Sequence, residues 1–216
     1  MKLYGYYRSS AAFRVRIALN IKGLELDQIF VHLREGDQRS EKYLGVNPQG
    51  LVPALEIDDG QIITQSMVII EYLEEAFPNK ISLLPKDIHG RARVRSLSSA
   101  IACDIHPLNN LRVLNFISQN VDNGKSIAND KWYKHWIREG MKGVEALLTN
   151  SPDTGEFCHG NSPSIADCCL IPQIYNAERF GCDMTDYPVS MRINSTCLSL
   201  NVFRQAMPEE QADFEK

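Results

Sequence analysis

The chain has no apolar run approaching the roughly 20 residues that a membrane-spanning helix needs. It has no cysteine pair at C-x-x-C spacing and no excess of positive charge, since its 216 residues carry a net charge of −4. The first absence excludes a spanning helix. The N-terminal stretch "MKLYGYY" also enters a strand-like pattern directly, without the apolar region of a secretory signal. The six cysteines, Cys103, Cys158, Cys168, Cys169, Cys182 and Cys197, all lie in the second half. Cys168 and Cys169 sit side by side in an apolar helical stretch and read as small buried residues rather than as part of a disulfide frame. That usage points to a reducing cytoplasm and speaks against a metal site. With no global basic field, neither nucleic acid nor an acidic membrane surface is an expected partner, and any recognition of anions has to be local. Internal repeats and low-complexity segments are also absent.

What is present is an ordinary globular composition, 44% hydrophobic and 23% charged, long enough for two compact domains. From Lys2 to about Lys80 the hydrophobic period changes repeatedly. "KLYGYY" is a short strand candidate. Ala12, Val15, Ala18 and Leu19 then recur at helical spacing, with Arg14, Arg16 and Lys22 opposite them and Gly23 as a stop signal. "LDQIFVHL" is a second strand candidate, and "RSEKYLGVNPQG" reads as a short helix closed by turn residues. "LVPALEIDDGQIIT" reads as a hairpin around Asp58, Asp59 and Gly60, and "QSMVIIEYLEEAF" as an amphipathic helix. The order β-α-β-α-β-β-α predicts a thioredoxin-like α/β domain over residues 1–80. Pro53 cannot donate to a ladder, so it marks the start of a strand or a cis peptide that exposes backbone groups. Residues 81–86 read as a linker. Beyond it strand signals nearly vanish, and 87–216 is expected to be an all-helical bundle. There Pro107 marks a bend, Ser164 with Asp167 resembles a capping box, and "PEEQADFEK" forms a polar tail.

Four places carry candidate chemistry. In "YYRSSAAFRVRIALN" a helix starting near Ser10 would turn unpaired N–H groups and its positive dipole end toward Arg8, Ser9 and Ser10. Such a spot stabilises a phosphate, a carboxylate or a thiolate. Equally, one serine caps the helix and Arg8 is solvated. In "NPQGLVPAL" a broken ladder at Pro53 would free the backbone of Val52 for an extended peptide-like ligand, and Gln65-Ser66 opens a second helix. The plainer alternative is an ordinary hairpin and a capped helix. In "CDIHPLNNLR", His106, Asn109, Asn110 and Arg112 form a polar patch beside a proline, although a lone histidine is more often structural. Arg179 lies near a helix end, where a surface arginine also compensates the dipole.

Taken together, "RSSAAFRVRIALNIKG", "NPQGLVPAL", "QSMVIIEYLEE", "SIADCCLIPQIYNAERF" and "DMTDYP" resemble the zeta class of glutathione transferases. The motifs stand in family order from Tyr4 to about Pro188. The resemblance implies the glutathione transferase fold, glutathione as cofactor, a homodimer, and a cleft between the thioredoxin-like and helical domains. It assigns Ser9 as the hydroxyl that holds the glutathione thiolate, with Ser10 beside it. Gln38 and Val52 match glutathione contacts, and Gln65 and Ser66 match the holders of its γ-glutamyl carboxylate. His106, Asn110 and Arg112 align with the cleft lining of the helical domain, and Arg8 and Arg179 with holders of substrate carboxylates. The family signature has a cysteine where this chain has Ala11 and a tryptophan where it has Phe13.

The implied reaction is cis–trans isomerisation of a small dicarboxylate, maleylacetoacetate, in aromatic amino-acid breakdown. A thiolate adds to the double bond, the bond rotates, and elimination returns the trans product. Maleylpyruvate is the alternative substrate. Members acting on it carry two arginines after the paired asparagines, where this chain has Leu111 and Arg112. General glutathione conjugation and a non-catalytic binding module are the remaining readings.

Overall fold

The computed structural model describes residues 1–121 and 127–215, the side chains of 127–129 excepted. It divides into two compact units, Met1–Leu83 with Leu198–Lys216, and Leu84–Cys197.

In the first unit four strands form a mixed sheet in the order β2-β1-β3-β4. β1 (Lys2–Gly5) runs parallel to β2 (Asp27–Phe30), and α1 (Ser10–Lys22) supplies the crossover that a parallel pair requires. β3 (Ala54–Glu56) is antiparallel to β1 and forms the expected hairpin with β4 (Ile62–Thr64). α2 (Glu41–Leu44) lies between β2 and β3, and α3 (Ser66–Ala76) follows β4. This is the thioredoxin-like order read from the sequence. Gly23 ends α1 in the left-handed conformation, φ 61°, with its N–H bonded to the carbonyls of Asn20 and Leu19. Pro53 follows a cis peptide from Val52.

Arg14, Arg16 and Lys22, which the helical spacing sets opposite the apolar positions, are nonetheless buried, 2%, 5% and 2% exposed. The helix is buried nearly all round, and each cation has found acceptors inside. Arg14 donates to the Ser66 hydroxyl at 3.3 Å. Arg16 donates to the carbonyls of Ala206 and Tyr7, each at 3.0 Å, and of Tyr6 at 3.5 Å. Lys22 donates to Glu74 at 2.9 Å and to the carbonyl of Ile81 at 3.0 Å.

The second unit is helical among the described residues. Its helices are α4 (Ile88–Ser99), α5 (Leu111–Asn120), α6 (Ile127–Thr149), α7 (Ile165–Arg179) and most of α8 (Pro188–Ser199). Between α4 and α5 the chain does not simply bend at Pro107. It passes through a π-helical turn, Ala100–Ile105, and a 3-10 turn, His106–Asn109, that has the proline near its start. α6 crosses this segment closely: a Cβ on Gly140 would lie 2.3 Å from Cγ1 of Ile105, so only glycine fits. Ser164 and Asp167 form the capping box of α7, and Cys168 and Cys169 are fully buried behind it. None of the described helices is long and apolar enough to cross a membrane.

The end of the chain groups differently from the 87–216 unit that the helical pattern suggests. Leu200 interrupts the last helical pattern, and α9 (Asn201–Arg204) with the residues after it pack on α1. Asn20 donates to the carbonyl of Val202 at 2.9 Å, beside the Arg16 bond to Ala206.

The Lys22–Glu74 pair supports a prediction. Both side chains are buried, 1% and 10% exposed. Burial alone would push the Glu74 carboxyl up, but the Leu83 N–H, the Lys22 ammonium and the Ser82 hydroxyl outweigh it, leaving its pKa below the ordinary 4.5. Lys22→Met should therefore destabilise the protein by about 3 kcal/mol at neutral pH, because a carboxylate is left buried without its cation. A group with a depressed folded pKa stabilises above its unfolded value and loses that contribution as pH falls through the folded one. The gap between parent and variant in urea unfolding should thus narrow as pH falls below the ordinary carboxylate range. A gap independent of pH would assign the loss to Lys22 packing alone.

Candidate active site

The sheet register brings the first unit's candidates to one end. Gly5, the last residue of β1, pairs with Phe30, the last of β2, so Tyr7 to Ser10 and residues 31–40 leave the sheet at the same edge. Tyr4 lies opposite Ala54, the first residue of β3, and Ala54 opposite Thr64, the last of β4. Val52 and Pro53 therefore arrive, and Gln65 and Ser66 depart, at that end too.

Ser9 is the N-cap of α1. Its Oγ accepts the N–H of Ala12 at 3.2 Å, and its own N–H bonds to the carbonyl of Tyr6 at 3.0 Å. The capping role is therefore real, and it does not exhaust the hydroxyl. An oxygen that accepts through a lone pair still has its proton to donate. Ser10 is buried in the first turn, 6% exposed, and Ala11 is half-buried. The Arg8 guanidinium lies over the Tyr7 ring, 5.1 Å from its centre, which fixes a cation beside the cap.

Val52 lies outside the ladder, which begins at Ala54. The peptide before it is held from behind: the Tyr43 hydroxyl and the Asn47 amide both donate to the carbonyl of Leu51, each at 2.7 Å. Burial pushes the Tyr43 phenol up to about 12, so it remains a donor throughout the working pH range. Gln38 donates to the carbonyl of Leu33 at 3.3 Å, while its Oε1 is buried with no partner among the described residues. Gly50, at φ 60°, lets this loop come close. A Cβ there would stand 2.9 Å from both the Gln38 carbonyl and the Arg39 guanidinium.

Gln65 precedes α3 with φ 72°, a conformation that costs energy for a residue with a side chain. The Gln65 side chain makes no cap hydrogen bond at the start of α3, in contrast to Ser9 at α1. The Gln65 amide donates to Gln49 Oε1 at 2.9 Å, and buried Arg14 donates to Ser66 from behind. An uncapped helix start backed by a buried guanidinium suits a carboxylate.

The second unit carries the remaining candidates. His106 opens the 3-10 turn and is half-buried. Asn110 caps α5, its Oδ1 accepting the N–H of Arg112 at 3.2 Å, and Arg112 is exposed. Arg179, in the last turn of α7, stacks over Phe180 at 4.7 Å, and Phe180 stacks face to face on Tyr133 at 3.7 Å. Burial raises the Tyr133 phenol and the Arg179 charge opposes it. The arginine is thus exposed but held by an aromatic stack. His106, Asn110 and Arg112 share one continuous segment, while Arg179 comes from α7.

Several supporting residues have weak sequence signals. Tyr43, Asn47 and Gln49 surround "NPQG", where the turn chemistry was visible but its target carbonyl was not. Arg14 stood opposite the apolar positions of α1, with nothing nearby to reveal its contact with Ser66. The lone aromatic of the tail, Phe214, lies edge-on to Tyr7 at 5.4 Å, and only its being aromatic in a polar stretch hinted at it.

Residues 8–76 match the profile of the family Glutathione S-transferase, N-terminal domain. The chain is 43% identical over 215 residues to a maleylacetoacetate isomerase of Pseudomonas aeruginosa, covering 99% of this chain and 98% of that one. Among solved structures it is similar to a maleyl pyruvate isomerase described as a bacterial glutathione S-transferase of the zeta class, with TM-score 0.95, 41% identity and full coverage of both chains. It is equally similar to a maleylacetoacetate isomerase of Methylobacterium extorquens AM1 with bound malonate and GSH, with TM-score 0.95, 40% identity and full coverage of both. With this identity along its whole length, a thioredoxin-like first unit and a helical second one, the chain belongs to the zeta class of the glutathione transferases.

Proposed function

We propose that this protein is a glutathione-dependent isomerase that converts maleylacetoacetate to fumarylacetoacetate in aromatic amino-acid breakdown. One observation carries the reading. A spare hydroxyl proton, a peptide outside its ladder and an uncapped helix start stand at the same end of one sheet. That set complements a γ-glutamyl tripeptide with a thiol in its middle residue. The buried, unpartnered Oε1 of Gln38 and the guanidinium behind Ser66 fit the same ligand. The relatives named for this reaction and the GSH-bound neighbour support it.

Glutathione, when bound, would supply a thiolate as the nucleophile for reversible addition to the cis double bond. The protein's own groups set this up. Ser9 donates its proton toward the sulfur, and the start of α1 favours negative charge there. Val52 offers its backbone to the cysteinyl residue, and the cis bond to Pro53 presents it. Gln65 and Ser66 hold the γ-glutamyl carboxylate at the start of α3, and Ser10 supports the turn between β1 and α1. Arg8 is the first unit's candidate for holding a substrate carboxylate; Arg112 and Arg179 are the second unit's, with His106 and Asn110 as its polar contacts. Ala11 is compatible with this scheme because no protein thiol takes part.

Maleylpyruvate is the second reading, supported by the isomerase neighbour of that name. Leu111 before Arg112 favours maleylacetoacetate. Turnover of both substrates with glutathione decides between them, and a preference for maleylpyruvate would overturn the choice. Conjugation of glutathione to electrophiles is a side activity that the same thiolate supports. We also propose a homodimer, to which Val68, Ile88 and Phe116, 54%, 75% and 64% exposed, offer apolar surface. That no disulfide joins the cysteines among the described residues supports a cytoplasmic location.

Ser9→Ala should lower kcat about a hundredfold, the usual cost of losing one donor to a reacting anion, and should raise the pKa of bound glutathione seen by thiolate absorbance. Full-rate isomerisation by the variant would refute the assignment. Arg179→Ala should raise KM for the dicarboxylate about tenfold while KM for glutathione stays unchanged. A parallel rise in both constants would remove Arg179 from substrate binding.

A further inference from the structure

We propose that the end of the chain, Asp213 to Glu215, is a strap that positions the glutathione site, an inference that rests on the reading of that site given above. Polar chain ends usually fray, but this one is rooted and then held by three consecutive residues. At the root, the Gln211 amide donates to the carbonyls of Gln205 and Met207 at 2.9 and 2.8 Å, and the N–H of Phe214 bonds to the carbonyl of Gln211 at 3.0 Å. The Asp213 carboxylate then accepts the N–H of Tyr7 at 2.9 Å. Phe214 packs on a buried cluster of Tyr6, Tyr7, Val31, Tyr43 and Val52. Glu215 pairs with Nε2 of His32, and its other oxygen lies 4.0 Å from Arg34.

Each contact lands on a segment that leads into the site. Tyr7 is the residue before Arg8 and Ser9, and its ring lies between Phe214 on one side and the Arg8 guanidinium on another. His32 anchors the loop that carries Gln38: its N–H donates to Asp37 and its Nδ1 accepts the N–H of Glu35, each at 3.0 Å. Val52 belongs to the cluster that Phe214 covers. The strap therefore ties together the segments that offer the hydroxyl, the loop contact and the backbone pair. It touches none of the reacting atoms, so its residues are positioning residues. Holding these segments in their binding geometry lowers the ordering cost of binding, and the coupling has to be reciprocal: glutathione must hold the strap as the strap holds the site.

The test compares the full chain with one ending at Ala212, and with Phe214→Ala and Phe214→Tyr, by calorimetric titration with glutathione and by thermal melting. The shortened chain and Phe214→Ala should bind about fivefold more weakly, with melting temperatures close to the parent, and Phe214→Tyr should recover most of the affinity. In the unaltered protein, saturating glutathione should slow release of the last residues by carboxypeptidase Y by a similar factor. Unchanged affinity in the shortened chain, or a loss matching only its unfolded fraction, overturns the strap. So does trimming of the intact chain at the same rate with and without glutathione. Failure of the intact protein to bind glutathione at all would instead overturn the reading of the site, and the strap with it.

Discussion

A guanidinium sealed from water has to find acceptors within the protein, and Arg16 donates to the backbone carbonyls of Tyr6, Tyr7 and Ala206. Leaving such a charge unpaired would cost several kcal/mol, more than most single contacts contribute. The turn after β1 and the segment after α9 are therefore drawn to one point on α1. Arg14 and Lys22 repeat the device, toward the start of α3 and toward the stretch after α3. α1 thus acts as a hub whose three buried cations each bind a different part of the first unit. The backbone of Tyr7 is gripped twice, through its carbonyl by Arg16 and through its N–H by Asp213. Arg8 and Ser9 start from that gripped position.

The electrostatics of the site follow from how the two helix starts differ. Both point positive ends toward the same edge of the sheet, but the Ser9 side chain closes α1 whereas the Gln65 side chain does not close α3. A closed start keeps its dipole while spending its first N–H groups on the protein, which suits a soft anion met by one hydroxyl. An open start offers its N–H groups directly, which suits a carboxylate with two oxygens. A chain with net charge −4 can hold an anionic ligand in this way because the positive potential is local and partly made of dipoles and buried cations.

Features set by local chemistry were legible in the sequence. The hairpin around Asp58 to Gly60, the stop at Gly23, the exceptional peptide at Pro53 and the capping box of Ser164 and Asp167 all follow from a few neighbouring residues. Features set by tertiary acceptors were not. Helical periodicity places charges on the solvent side, and nothing near Arg14, Arg16 or Lys22 reveals that Ser66, Ala206 and Glu74 lie within reach. The same limit hid the tail, whose partners Tyr7 and His32 are far away in sequence. For the π-helical turn before His106, the proline gave the place of the irregularity but not its form, nor that Gly140 lets α6 pack closely on its Ile105.

The distribution of sulfur sharpens the chemical reading. All six cysteines fall between Cys103 and Cys197, inside the second unit, so the first unit contains no thiol. Cys158, Cys168 and Cys197 are buried, and burial raises their thiols far from the range where a thiolate forms. Position 11, in the first turn of α1 where a cysteine would be activated by the helix dipole, is alanine. The first unit has no thiol of its own, so a thiolate supplied by that unit's site would have to come from a ligand. In the site proposed above, the thiol, backbone and carboxylate of a thiol-bearing peptide would meet the Ser9 hydroxyl, the peptide at Val52 and the start of α3.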